Sequence, residues 1–272
     1  MRGLKRVLLL VVGLVIVGYA GAIAYFYTIQ RQGTFAGASF DGFRPAPSDP
    51  IPGATAVQLK TPDGETIAGW YRAPTSDAKV LLFFHGNDGG LERATNRWRA
   101  IAERGAGVFA ITYRGYPGST GTPSEEGIAL DARAAYDWLS ERHDGANIII
   151  HGHSLGTGVA TRLAAEVDAA GLVLEAPFLS ATTLAEELYP YLPVRFMMLD
   201  PFQSQERIDR VGMPVLIVHG TADQIIPISH GERLIERATT PKTFVPVSNG
   251  SHVDLTERGL YPLIWKLVDG AS

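Results

Sequence analysis

Gly152-His153-Ser154-Leu155-Gly156 sets a serine between two glycines, directly after the apolar segment 148–151. By itself G-x-S-x-G is a weak signal in a chain that holds 30 glycines. Its context is strong, because a buried strand precedes it and a small-residue helix follows. A turn that sharp holds the serine in strained backbone geometry with its hydroxyl exposed, and the glycines remove side chains that would strike the neighbouring strand and helix. A serine hydroxyl is a poor nucleophile at neutral pH; it needs a base, and the base needs an orienting group. In a strand–turn–helix setting these partners follow in the order serine, acid, histidine. Asp223 ends the segment that starts with the apolar run 215–219, and His252 lies in the loop after the run 243–247. Ser154, Asp223 and His252 are therefore the expected catalytic set.

Other residues compete for these roles. Glu175 ends the neighbouring strand and is the alternative acid; Asp223 is preferred on strand position. Asp254 stands two residues past His252, too close to reach the far ring nitrogen. His151 and His219 end core strands and read as structural. His230 opens a helix and is expected in solvent, His143 closes one as a favourable C-terminal cation, and His153 is expected to point away from the serine. An oxyanion formed by attack on a carbonyl needs fixed donors. The Leu155 amide follows the nucleophile, and the turn His85-Gly86-Asn87-Asp88-Gly89-Gly90 supplies a second, assigned to the Asn87 amide, with His85 bracing that turn.

The elements that must position these groups are legible from periodicity. Strands are expected at 56–60, 67–71, 80–84, 107–112, 148–151, 172–175, 215–219 and 243–247, and helices at 91–104, 127–142, 155–167, 231–238 and 255–268. Continuous apolar runs such as 80–84 mark strands buried on both faces. Strand and helix alternate, so the expected fold class is α/β: a mostly parallel central sheet with helices on both faces and right-handed crossovers. Ligands then bind beyond the carboxyl ends of the strands, where the candidate residues fall. An apolar, helix-leaning insertion occupies about 177–208, densest over 186–202, and is expected above the site as a short cap or as ordinary packing on the sheet.

With Phe84-His85-Gly86-Asn87, Tyr113-Arg114-Gly115-Tyr116-Pro117-Gly118-Ser119, the GHSLG, and Leu216-Ile217-Val218-His219-Gly220-Thr221-Ala222-Asp223 followed by Ile226-Pro227, most of 56–268 resembles the Bem46-like, ABHD13/ABHD17-type branch of the α/β-hydrolase superfamily. The resemblance implies a serine hydrolase of acyl esters or thioesters, often lipid-linked, with no cofactor, and members that often carry an N-terminal membrane segment. It is much less specific for substrate. Peptide hydrolysis by the same three residues, and a silent membrane scaffold, are the rival readings.

The N-terminal run 7–27 is uncharged, follows Arg2, Lys5 and Arg6, and at about 1.5 Å per residue is long enough to cross a bilayer. A signal-peptide core would be shorter, so an uncleaved anchor is expected, with cleavage near Ala20–Ala24 the alternative. The flanking charge places the N-terminus in the cytoplasm and the catalytic domain outside it. Residues 1–31 are read as the anchor, 32–53 as a Pro- and Gly-rich linker, and 54–272 as one hydrolase domain. The net charge of −4 gives no footprint for nucleic acid, and the absence of cysteine excludes a thiol nucleophile, disulfides and thiolate zinc. No H-E-x-x-H is present, so no metal is expected. The expected partners are a small-molecule or lipid acyl substrate and membrane lipid.

Overall fold

In the computed structural model, which describes residues 2–75 and 78–269, a long helix α1 (Arg2–Thr34) precedes an eight-stranded sheet. The strands are β1 (Thr55–Lys60), β2 (Thr66–Arg72), β3 (Val80–Phe84), β4 (Gly107–Ile111), β5 (Ile148–His153), β6 (Gly171–Glu175), β7 (Val215–Gly220) and β8 (Lys242–Val247). They lie in the order β1-β2-β4-β3-β5-β6-β7-β8. β1 and β2 form an antiparallel hairpin, β2 runs antiparallel to β4, and every pair from β4 to β8 is parallel.

Alternate residues of each central strand face opposite layers. Val80, Leu82 and Phe84 join a core that α3 (Glu125–Ser140), α4 (Leu155–Ala164) and α7 (Ser229–Arg237) close from one side. Leu81 and Phe83 face the other side, closed by α2 (Thr95–Glu103) and α8 (Leu260–Asp269). Both faces of the strands are therefore apolar, which is why the sequence shows unbroken runs there.

Most expected elements appear within a few residues. α3 starts earlier than its periodicity suggests because the Ser124 hydroxyl caps it, accepting from the Gly127 amide at 3.1 Å. The last helix starts later than expected. The chain from Leu255 turns until Gly259 takes a φ of +96°, and α8 begins at Leu260 with Pro262 in its first turn, where a missing N–H costs nothing.

The stretch read as a linker is more tightly held than its composition implies. Residues 32–34 continue α1. Beyond them Phe35, Ala38 and Ile51 are buried in the domain, Gly37 donates to the Asn87 carbonyl at 2.7 Å, and Gly118 donates to the Arg44 carbonyl at 2.8 Å. Phe40 and Phe43 stay exposed. The last three residues of the expected domain, 270–272, lie outside the described residues.

The insertion between β6 and β7 carries α5 (Ala181–Leu188) and α6 (Val194–Met197). α1 docks on it. Gln30 donates to the Met197 carbonyl at 3.1 Å and accepts from the Leu199 amide at 2.9 Å, and Arg31 pairs with the buried Asp200 at 2.7 Å. Asp200 also accepts from the Glu125 amide at 2.8 Å, which fastens the insertion to α3. The 33-residue α1 is long and apolar enough to cross a membrane, and none of its apolar window is buried in the protein.

Candidate active site

Ser154 stands between β5 and α4 with φ 52° and ψ −119°, a backbone that residues with a side chain rarely adopt. The flanking glycines have direct steric causes. A Cβ on Gly152 would collide with the Gly156 carbonyl, and one on Gly156 would collide with the Phe84 carbonyl at the end of β3. The strained turn is held because the Ser154 amide donates to the Glu175 carbonyl of β6 at 3.0 Å.

The three residues expected at the site meet there. The Ser154 hydroxyl lies 2.9 Å from His252 Nε2, and His252 Nδ1 lies 2.7 Å from Asp223 Oδ2. A carboxylate can only accept, so Nδ1 carries the proton and Nε2 offers its lone pair to the serine O–H. Asp223 follows β7, and its Oδ1 accepts from the Ile225 and Ile226 amides at 2.8 and 2.9 Å. Burial alone would raise this carboxyl. Donation from His219, His252 and the Ile226 amide outweighs burial and holds it well below the usual range. It is thus a fixed anion beneath the imidazole.

Glu175, the alternative acid, is committed elsewhere. Arg97 grips it with two bonds, at 2.8 and 3.1 Å, and His151 Nε2 lies 3.3 Å away. Against its burial, Arg97, His153 and His151 keep it ionised. Asp254 stabilises the loop instead, accepting from the Ser251 amide at 2.7 Å and pairing with Arg258 at 2.6 Å.

The remaining histidines divide. His151 and His219 are buried as expected. His219 has a part that the sequence did not signal: its Nε2 is 3.4 Å from Asp223 Oδ2 and 2.9 Å from the Ile226 carbonyl, so it braces Asp223. His230, expected in solvent, is fully buried; its Nδ1 accepts from the Leu179 amide at 3.2 Å and its Nε2 lies 3.0 Å from Glu187. Two partners inside the fold outweigh its place at a helix start. His143, expected as a helix-end cation, instead meets the Tyr71 hydroxyl at 2.7 Å, and burial lowers its pKa. His153 turns from the serine toward the histidine loop, with Nε2 3.2 Å from the His252 carbonyl.

The two expected oxyanion donors border the same cavity as Ser154. Leu155 opens α4, so its amide has no helical carbonyl to bond. The Asn87 amide is aimed by its neighbours. The Gly86 carbonyl accepts from His85 Nδ1 at 2.6 Å and from the Gly89 amide at 3.3 Å. In a trans peptide the Asn87 N–H points opposite to that carbonyl. The Asn87 carbonyl is held in turn by Tyr116 at 2.8 Å and Gly37 at 2.7 Å. His85 packs on the Tyr113 and Tyr116 rings, and burial pushes its imidazole down to about 4, so it stays neutral.

The cavity holds about 600 Å³ and reaches from Ser154 to the insertion and the last turns of α1. Its wall is mainly apolar, with Gln30, Gln32 and Thr34 of α1 among its polar residues, and carries no charged side chain among the described residues. The α1 portion is not signalled by the sequence, where Phe26, Ile29 and Gly33 fall in the expected anchor and linker. A late hint lies in Thr28, Gln30, Arg31 and Gln32, polar residues where a plain span would end. Among the described residues no group of three or more His, Asp or Glu could hold a metal ion. This arrangement can raise the nucleophilicity of one hydroxyl and stabilise negative charge beside it.

Comparison with known proteins gives a consistent placement. Residues 75–199 match the family Hydrolase_4, described as serine aminopeptidase, S33. The uncharacterized protein Rv2307c of Mycobacterium tuberculosis is 39% identical over 90% of this chain and 88% of its own length. The human alpha/beta hydrolase domain-containing protein 17B is 32% identical over 74% of this chain and 70% of its own. Rat lysophosphatidylserine lipase ABHD12 is 33% identical over 64% of this chain, which spans only 49% of that protein. Among solved structures, the Pyrococcus furiosus esterase Pf2001 overlays with a TM-score of 0.64 at 19% identity, covering 79% of this chain and 91% of that one. Est1E from Butyrivibrio proteoclasticus, with ferulic acid bound, gives 0.66 at 16% identity, over 79% and 100%. Identities that low establish the shared fold.

Proposed function

Because the chain belongs to the α/β-hydrolase family, among the ABHD-type proteins, and is a hydrolase by that membership, we propose that it cleaves carboxylic esters or thioesters through an acyl-enzyme on Ser154. The observation that carries this reading is the 2.9 Å contact between the Ser154 hydroxyl and His252 Nε2, with Asp223 behind it. His252 takes the hydroxyl proton as Ser154 Oγ attacks the carbonyl carbon. Asp223 stabilises the imidazolium, and the Leu155 and Asn87 amides hold the oxyanion. The intermediate collapses as His252 protonates the leaving alcohol or thiol. Water, deprotonated by the same imidazole, then attacks the acyl-serine and frees the acid. These steps use only groups of the chain itself.

The family description favours a second reading, an aminopeptidase. Such an enzyme must pair the free α-ammonium of its substrate with an anion, because an unpaired buried charge is costly. The apolar cavity beside Ser154 offers none among the described residues, which supports the ester reading. An apolar wall suits an acyl chain, and the lipase name of one relative accords with it. A non-catalytic scaffold would have no use for a strained serine, an oriented imidazole and two aimed amides together.

α1 serves as an uncleaved anchor. The positive charges at its start favour an N-terminus in the cytoplasm and a catalytic domain on the far side. The domain plan that fits is an anchor, a short docked connector and one hydrolase domain from about residue 54. A panel of p-nitrophenyl esters, acyl thioesters and aminoacyl-p-nitroanilides tests the substrate class. Turnover of esters or thioesters at least a hundredfold above the anilides supports the proposal. Turnover of anilides alone would establish the peptidase reading instead.

A further inference from the structure

The cavity beside Ser154 is built from two parts of the chain that meet only through folding. Phe26, Ile29 and Gly33, on the last turns of α1, form one wall; Leu184, Leu188 and Met197, from the insertion, form the other. The wall from α1 is a fixed contact. Gln30 and Arg31, interleaved with those lining residues, bond to Met197, Leu199 and Asp200. Phe26 packs against the Tyr189 ring with centroids 5.5 Å apart.

The contact continues up the helix. The Tyr19 hydroxyl donates to the Tyr191 carbonyl at 2.7 Å. Tyr19 precedes Tyr27, the end of the apolar run, by two helical turns, about 12 Å along the axis at 1.5 Å per residue. The tip of the insertion is therefore level with helix residues that belong to the hydrocarbon layer when α1 crosses a bilayer. That tip is open and exposes apolar side chains: Tyr191 and Phe196 are 87% and 89% exposed, Leu188 is exposed too, and Arg195, next to Phe196, is the one charged residue of 188–198. Large exposed aromatic and aliphatic side chains around a spanning helix suit the boundary between lipid headgroups and acyl tails.

We infer that α1 and the insertion together form an acyl-chain site that opens into the adjacent lipid leaflet, and that α1 is thus part of the substrate site as well as the anchor. The occupant is the long acyl chain of a membrane-resident ester, with its carbonyl at Ser154; that last placement rests on the proposed serine hydrolase reading. The wall has no charged group to desolvate, and a volume of about 600 Å³ lies in the usual range for ligand cavities of roughly 300–1,000 Å³. Gly33 lines this space, and a Cβ built on it meets nothing within 4 Å, so the backbone there accepts a side chain at the edge of the cavity.

The test uses the full chain in phosphatidylcholine nanodiscs with two readouts. One is photo-crosslinking by a diazirine-bearing palmitate, which needs no hydrolysis. The other is the ratio of kcat/KM for p-nitrophenyl palmitate to that for p-nitrophenyl butyrate. Gly33→Trp from the helix side and Leu184→Trp from the insertion side are compared with Leu10→Trp, on a part of α1 away from the cavity. The expected result is palmitate adducts within 26–34 and 181–198, with yield and ratio each falling at least tenfold in both cavity variants and unchanged in Leu10→Trp. Adducts confined to the apolar run before residue 26, or equal losses in all three variants, overturn the inference. A wild-type protein that crosslinks as expected but turns over neither ester keeps the acyl site and refutes the hydrolase reading. One that cleaves butyrate without Gly33-sensitive crosslinking does the reverse.

Discussion

His85 Nδ1 lies 2.6 Å from the carbonyl oxygen of Gly86, and that bond sets the direction in which the Asn87 amide points. His85 touches no reacting atom in the proposed mechanism; it positions the peptide that does. Replacing it by Phe keeps a ring against Tyr113 and Tyr116 and removes the donor. If the Asn87 amide stabilises an oxyanion, His85→Phe lowers kcat tenfold or more and leaves KM for a short ester nearly unchanged, approaching the hundredfold or greater cost of losing one such donor. A rise in KM at constant kcat would assign this turn to substrate binding.

The same histidine gives a pH signature in stability. Burial pushes both His85 and His151 down to about 4, against 6.5 in an unfolded chain. Between these values the unfolded chain binds a proton at each and the folded one does not, so stability falls as pH falls through this window, by up to about 3 kcal/mol for each group. Asp131, which burial pushes up to about 6, acts in the opposite sense over part of the range, because its folded form holds a proton that the unfolded form releases. Thermal melts of His85→Phe beside wild type separate these contributions. The expected outcome is a smaller loss of Tm between pH 6.5 and 4 in the variant; an equal loss would place the sensitivity elsewhere.

Two carboxylates stand at neighbouring strand ends, and they are expected to fail differently. Asp223→Asn preserves shape but no longer fixes the imidazole proton on Nδ1, and kcat falls by roughly ten-thousandfold with little change in Tm. Glu175→Gln leaves the buried Arg97 guanidinium without its anion, so stability drops by roughly 3–5 kcal/mol while turnover of the remaining folded protein persists. The reverse pattern would make Glu175 the acid.

The absence of cysteine allows single-site labelling of the insertion. A nitroxide at Phe196→Cys, in full-length protein in nanodiscs, is expected to relax faster with oxygen than with a water-soluble nickel complex. A nitroxide at Asp137→Cys on exposed α3 should show the opposite. Equal, water-like behaviour at both sites would separate the insertion from the membrane.

How much of this was legible in the sequence depended on the range of the interactions. Strands such as Val80–Phe84 announce themselves because burial on both faces leaves no polar position. Ser154, Asp223 and His252 each follow such a strand, so local pattern and topology together bring them to one rim. His230 was misplaced because its two partners, Leu179 and Glu187, lie about fifty residues away in the insertion, beyond any periodic signal. The part of α1 in the cavity was hidden for a related reason: a helix apolar on all sides shows no preferred face, so nothing marks which residues meet the insertion. The docked connector was missed because glycine and proline mark irregular backbone, whether or not it packs; Gly37, whose Cβ would strike the Asp88 carbonyl, is irregular and tightly held.

In the proposed reaction one hydroxyl is made reactive by the imidazole 2.9 Å away. Fluorophosphonate labelling of the intact protein, followed by mass mapping of the adduct, measures that directly. The expected result is a single stoichiometric adduct on Ser154, lost in Ser154→Ala and strongly slowed in His252→Ala, with both variants folded. An adduct on another residue, or a folded wild-type protein that takes up no probe, would contradict it.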